Sequence, residues 1–353
     1  MQISAAQVTP VTLPLNRPAR LAGLPEITAV QAVFVRLETR SGRQAWGCGV
    51  AHPELTGETP TAALRTCMAA ADMAPDLHPT NLEYSLSLLA PVVQGSPAAA
   101  CAFDLAFYDL LGLASDLPLY RLLGGFRNRI LTSATVPLGD LETTVARACE
   151  RAAAGFRIIK LKGGVDPELD VQRARAVRRA LPHHTLRLDA DGCYTAQQAL
   201  DVARALKHQL EMLEQPTPPG DLATLKAVSR QSAVPVLADQ SAASPSLALE
   251  LAAQRAVSGL RIKVATCGGL GPARRVEAIA RAAQITLLVG CTLEPALLIA
   301  AGLALALSSP NVRYGDLDGY LDLQNDPTQP GFSLQAGELI AHDTPGLGCL
   351  VNL

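Results

Sequence analysis

Several acids and lysines in this sequence stand at the ends of short apolar runs, spaced at near-equal intervals. Asp189 precedes Glu214 by 25 residues, Glu214 precedes Asp239 by 25, and Asp239 precedes Lys263 by 24. Each interval is about the length of one strand–helix unit, so the four side chains lie at similar height on successive strands. Three carboxylates brought together repel one another unless a cation neutralises them. Hard oxygen ligands in an open site favour Mg²⁺, with Mn²⁺ as an alternative. Lys160 and Lys162 are two residues apart and share one face of a strand. Lys263 comes from a strand well around the sheet. A cation with a lysine on each side is suited to moving a proton at carbon. Loss of a proton α to a carboxylate leaves charge that a divalent ion stabilises, and an ammonium near other positive charge has its pKa lowered toward the working range. One acid at a strand end is commonly a cap or loop residue. Five residues in register (Lys162, Asp189, Glu214, Asp239, Lys263) are poorly explained that way.

The elements that must carry these residues follow from periodicity. Up to about residue 125 the chain reads as a compact α+β unit. Residues 30–37 and 45–50 flank the turn Ser41-Gly42 as a hairpin, and residues 61–73 and 98–113 have helical apolar spacing. Leu123-Gly124-Gly125 marks the boundary. Beyond it, strands are expected at 130–136, 157–162, 186–191, 212–215, 236–240, 259–264, 286–290 and 312–316. Helices separate them, for example at 170–181, 196–208 and 272–283. This rhythm predicts an α/β fold, a parallel (β/α)8-type barrel whose strand C-termini form one mouth. No clear helix follows the eighth strand. At the mouth the strand ends present Lys160, Lys162, Asp189, Asp191, Glu214, Asp239, Lys263, Asp316 and Asp318. Residues 331–353 read as short strands returning to the first unit.

Composition excludes several classes. The 353 residues hold 30 Lys and Arg against 32 Asp and Glu, and 49% are hydrophobic. A near-neutral chain without a basic block is a poor partner for nucleic acid or an anionic membrane. The longest apolar run, 296–307, falls short of the roughly 20 residues a bilayer needs. No basic segment followed by an apolar stretch opens the chain, so no signal peptide is expected. Eight scattered cysteines without a Cys-x-x-Cys read as reduced thiols, and the expected location is cytoplasmic. The six histidines have no metal-ligand spacing, and His183-His184 reads as a solvated loop.

At these residues the chain resembles the enolase superfamily, in its muconate-lactonizing subgroup. The carrying pieces are Lys160-Leu161-Lys162, Leu188-Asp189-Ala190-Asp191, Leu213-Glu214-Gln215-Pro216, Ala238-Asp239-Gln240-Ser241, and Ile262-Lys263 followed by Gly268-Gly269. The resemblance extends over nearly the whole chain, to Pro345-Gly346-Leu347-Gly348. It implies an α+β capping domain over 1–125, completed by about 325–353, and a (β/α)7β barrel over 126–324. It also implies a Mg²⁺ in each subunit and a homo-oligomer. Asp189, Glu214 and Asp239 would bind the metal. Lys162 and Lys263 would be the acid/base pair on opposite faces of the substrate, with Lys160 tuning Lys162.

Within the subgroup the chain is most similar to dipeptide epimerases, through Gly290-Cys291-Thr292-Leu293-Glu294 and Asp316-Leu317-Asp318-Gly319. The resemblance implies that Asp316 and Asp318 hold the free α-ammonium of a dipeptide, with Thr135 and Glu294 also binding substrate. The expected reaction inverts the α-carbon of the C-terminal residue of an L,L-dipeptide. Alternatives on the same scaffold are N-acylamino-acid racemase, o-succinylbenzoate synthase and cycloisomerase; a further one is a metal-binding scaffold without catalysis. Cys48, Asp191, Gln240 and Ala243 depart from the usual pattern. Specificity loops are expected at about 17–27 and 52–59. Pro25 stands about where an Ala-Glu epimerase would carry arginine, so that dipeptide is not the expected substrate.

Overall fold

The computed structural model describes residues 2–353. The cap begins with an antiparallel sheet of three strands, Ile3–Ala19, Ile27–Thr39 and Gln44–Val50, paired in sequence order. The last two include the expected hairpin. The first strand was not among the expected elements, and it contains Pro10, Pro14 and Pro18. It tolerates prolines because it lies at the sheet's edge, where its other side is bridged only at Leu15, to Leu323.

The helix Pro97–Ser115 packs on this sheet. It is long and apolar enough to cross a membrane, but most of it is buried in the core of the cap. Its close approach depends on two glycines. Gly47 and Gly49 share a strand face and meet Ala98, Ala102 and Ala106, which share a helix face. A Cβ on Gly49 would overlap the Ala98 carbonyl. Backbone cannot move aside as a flexible side chain can, so Gly49→Ala is expected to cost about 1–3 kcal/mol. A melting temperature several degrees lower, by circular dichroism, checks this; an unchanged melt would contradict the close packing.

The barrel sheet has eight parallel strands in sequence order: Ala134–Val136, Ile158–Lys162, Thr185–Asp189, Met212–Glu214, Val236–Ala238, Gly259–Lys263, Thr286–Gly290 and Val312–Asp316. They are barrel strands one to eight below. A parallel bridge between Thr132 and Gly315 brings strand one to strand eight. Helices follow each of the first seven strands and none follows the eighth, so the barrel is (β/α)7β. The expected strand 130–136 is in fact two. Arg129–Leu131 joins the hairpin Phe332–Gln335 and Glu338–Ala341, and Ala134–Val136 joins the barrel. The change of partner falls between them: the Thr132 amide donates to Gly337 O (2.9 Å) and the Ser133 amide to Gly315 O (3.2 Å).

Buried acids on the cap helix hold distant segments together. Asp104 accepts from the amides of Leu270 (2.6 Å) and Gly271 (3.2 Å) at the start of the barrel helix Leu270–Ala282. Gly269, at φ +119°, lets that helix approach, because a side chain there would strike Asp104. The Gly268-Gly269 pattern is thus an interdomain joint. Asp109 likewise accepts from Trp46 (3.0 Å) and from Leu347 of the C-terminal tail (2.7 Å). The C-terminal tail thus touches the cap helix at Leu347.

Candidate active site

Alternation along the parallel strands decides what enters the barrel. Lys160 and Lys162 point inward from strand two, Asp189 from strand three, Glu214 from strand four, Arg261 and Lys263 from strand six, and Asp316 from strand eight. Asp239 follows strand five. Strand register sets Lys162 beside Asp189, Asp189 beside Glu214, and Lys263 beside Gly290. Beneath this charged layer Met212, Leu237, Leu288 and Tyr314 fill the barrel. Above it opens a cavity of about 400 Å³ between the barrel mouth and the cap. The cap wall is largely apolar and includes Leu21, Leu24, Pro25, Ile27 and Leu55. Both expected specificity loops, 17–27 and 52–59, contribute to it.

Ligand oxygens of Asp189, Glu214 and Asp239 lie within 4.8 Å of one another, and all three residues are buried. Burial pushes the Glu214 carboxyl up to about 7; Arg261 opposes the rise and Asp189 adds to it. Burial also works against ionised Asp189, but Lys160, Lys162 and Arg261 hold its carboxyl well below the usual range. Glu214 Oε2 accepts no hydrogen bond, although Lys160 Nζ lies 3.1 Å away in poor geometry. Three converging carboxylates with an unsatisfied buried oxygen suit a hard divalent cation such as Mg²⁺.

The lysines surround these acids. Lys162 Nζ donates to Asp189 Oδ2 (2.8 Å) and to Asp191 Oδ1 (2.7 Å). Lys263 Nζ donates to Asp239 Oδ2 (2.6 Å). Burial would lower the Lys162 pKa, but Asp189 and Asp191 outweigh it and hold the ammonium above the usual lysine range. Lys160 Nζ lies deeper, 2.8 Å from Asp189, 3.1 Å from Glu214 and 2.9 Å from Asp316. Asp191, one of the departures from the usual pattern, is a direct partner of Lys162.

Arg261 was not anticipated. It is 3% exposed, bonded to Glu214, 2.7 Å from Asp316 Oδ2 and 2.9 Å from the Cys291 carbonyl. Gly290 makes room for it, since a Cβ there would overlap the guanidinium. The signal was available: Arg261-Ile262-Lys263 repeats the spacing of Lys160-Leu161-Lys162.

The residues expected to bind substrate separate. Asp316 is engaged by Ser133, Lys160 and Arg261, and its carboxyl is held below the usual range by the two cations despite burial. Asp318 accepts from the amide and hydroxyl of Thr135 and makes no ion pair among the described residues. Burial, and then Asp316, push its carboxyl up to about 6. Asp316, Asp318 and Thr135 all line the cavity. Glu294 does not. It is buried behind Thr292, from which it accepts two hydrogen bonds (3.0 and 2.8 Å). Cys48 is buried in the core away from the cavity, whereas Gln240 lines it.

The chain is similar to characterised proteins over nearly its whole length. Residues 3–124 match the mandelate racemase / muconate lactonizing enzyme N-terminal domain, and residues 143–352 match the enolase C-terminal domain-like family. An L-Lys-D/L-Arg epimerase of Methylococcus capsulatus is 37% identical over 99% of both chains. A hydrophobic dipeptide epimerase of Enterococcus faecalis is 33% identical, also over 99% of both. The crystal structure of a dipeptide epimerase from Enterococcus faecalis, complexed with Mg and L-Leu-L-Tyr, has a TM-score of 0.95 at 32% identity and 99% coverage of both chains.

Proposed function

The chain belongs to the mandelate racemase / muconate lactonizing enzyme family of the enolase superfamily, and on that premise we propose that it is a Mg²⁺-dependent dipeptide epimerase acting at the α-carbon of the C-terminal residue. Lys162 and Lys263 stand on strands two and six, four apart in a ring of eight, and so face the cavity from opposite walls. One removes the α-proton and the other returns a proton to the opposite face. A divalent cation held by Asp189, Glu214 and Asp239 would supply positive charge to the substrate carboxylate and stabilise the charge developing there. With Asp189 and Asp239 engaged as ligands, the lysines lose two of the acceptors that hold their protons. Lys160 and Arg261 fix the acids from below.

Charge counting supports a substrate carboxylate. Taken as ionised, Asp189, Asp191, Glu214, Asp239 and Asp316 exceed Lys160, Lys162, Arg261 and Lys263 by one negative charge. A divalent ion turns that into one positive charge, which a carboxylate cancels.

Asp318 is the observation that carries the dipeptide reading. It lines the cavity as a carboxylate in no ion pair among the described residues, and the free α-ammonium of a dipeptide would supply one. N-acylamino acids carry no such charge. Asp318→Asn is therefore expected to lower kcat/KM for dipeptides by roughly 10- to 100-fold and to leave N-acylamino acids little changed. With its carboxyl near 6, Asp318 is charged above that pH and neutral below it. KM for dipeptides should rise as pH falls through about 6, and this rise should disappear in Asp318→Asn. Equal losses for both substrate classes would contradict the assignment.

The decisive test is mass spectrometry of pooled L,L-dipeptides in D₂O with Mg²⁺. A gain of one deuterium in the C-terminal residue, prevented by chelation, supports the proposal. No exchange in any dipeptide overturns it.

A further inference from the structure

Glu294 is 1% exposed, next to the site, and plays no part in the reaction above. We infer that Glu294, acting through Thr292, holds His52 as the tautomer protonated on Nε2 and so pins the cap loop forming one cavity wall to the barrel. Three residues from two domains make the chain of contacts. Glu294 Oε2 accepts from the Thr292 amide (3.0 Å) and lies 2.8 Å from the Thr292 hydroxyl, which in turn lies 2.9 Å from His52 Nε2.

Proton counting sets the direction. A threonine hydroxyl has one proton to donate. Glu294 Oε2 already accepts a backbone N–H, and it remains an acceptor whether the acid is ionised or protonated on Oε1. The other acceptor near the hydroxyl, Leu293 O, is farther away at 3.4 Å. The hydroxyl proton therefore goes to Glu294, and an oxygen lone pair is left facing His52. His52 must donate, so its Nε2 carries the hydrogen. Burial, and then Lys263, pull the His52 pKa down to about 4, so the ring is neutral near pH 7 and Nδ1 is bare.

The location gives the contact its consequence. His52 begins the turn Pro53–Thr56, whose Pro53, Glu54 and Leu55 line the cavity. The His52 carbonyl accepts from the Thr56 amide (2.8 Å) and hydroxyl (3.0 Å), so holding His52 holds the turn. Farther along, Glu58 anchors the loop to the cap helix through Ser96 and the Ala98 amide. Thr292 is two residues beyond Gly290, the register partner of Lys263. Glu294, Thr292 and His52 are thus positioning residues that set the cap wall against the barrel near Lys263.

The tautomer is readable in substrate-free protein by long-range ¹⁵N–¹H NMR of the histidine rings, with His52→Gln for assignment. The expected result is hydrogen on His52 Nε2 and none on Nδ1. Thr292→Val should shift the ring signals and raise KM for the dipeptide turned over about tenfold with little change in kcat, and Thr292→Ser should restore both. A ring protonated on Nδ1 in the unmodified protein overturns the inference, as does an unchanged KM in Thr292→Val. The kinetic arm rests on the dipeptide reading and the NMR arm does not, so the failure of one is distinguishable from the failure of the other.

Discussion

Lys162→Ala and Lys263→Ala should each lower epimerisation by about 10²- to 10⁴-fold, and the two variants should differ in which epimer they still label. Each protein keeps one base on one wall. In D₂O that base still exchanges the α-proton of the epimer presenting hydrogen to it, without inversion. Lys162→Ala should label one of the L,L and L,D substrates, and Lys263→Ala the other. The geometry behind this is the four-strand separation of two lysines that line one cavity. Mass spectrometry of both epimers with both variants checks it. The same loss from both epimers in both variants would argue against a two-wall mechanism. Mg²⁺ affinity, measured alongside, separates loss of a base from disturbance of Asp189 and Asp239, the lysines' direct partners.

Removing the cation should have an effect of comparable size. Chelation is expected to abolish exchange, and restoring Mg²⁺ to raise both activity and melting temperature. At a Mg²⁺ concentration 100 times its Kd, binding to the folded chain alone adds about 2.7 kcal/mol of stability. Glu214→Gln removes the central carboxylate of the three and should cancel both the thermal shift and the exchange. The variant is expected to fold without metal, because Lys160 and Arg261 retain Asp189 and Asp316 as partners. Full activity after exhaustive chelation, or an unchanged Mg²⁺-dependent shift in Glu214→Gln, would falsify the assignment of these ligands.

The barrel and its acid–lysine set were legible because both rest on local periodicity. Alternation of inward and outward side chains fixes which residues of a strand enter the barrel, and regular strand–helix units bring successive inward acids to one height. Asp189, Glu214, Asp239 and Lys263 could be placed together from their spacing alone. Other features depend on contacts between distant segments. The edge strand Ile3–Ala19 forms against its prolines because its neighbour supplies the pairing. Strand 130–136 divides because two different sheets claim its halves. Arg261 could have been found from its spacing to Lys263, but room for it comes from Gly290 on the neighbouring strand.

The sequence by itself therefore determined the alternating fold, the inward acids and the lysine pair, since each follows from the period of a strand or of a strand–helix unit. Tertiary structure alone decided how the acidic side chains divide their roles. Asp316 and Asp318 look alike in sequence, yet two buried cations claim Asp316 and leave Asp318 without one. Glu294 and His52 are 242 residues apart in the chain and share one hydroxyl in space. Charge compensation and hydrogen-bond direction depend on which groups surround a side chain, and no local period of the sequence encodes that.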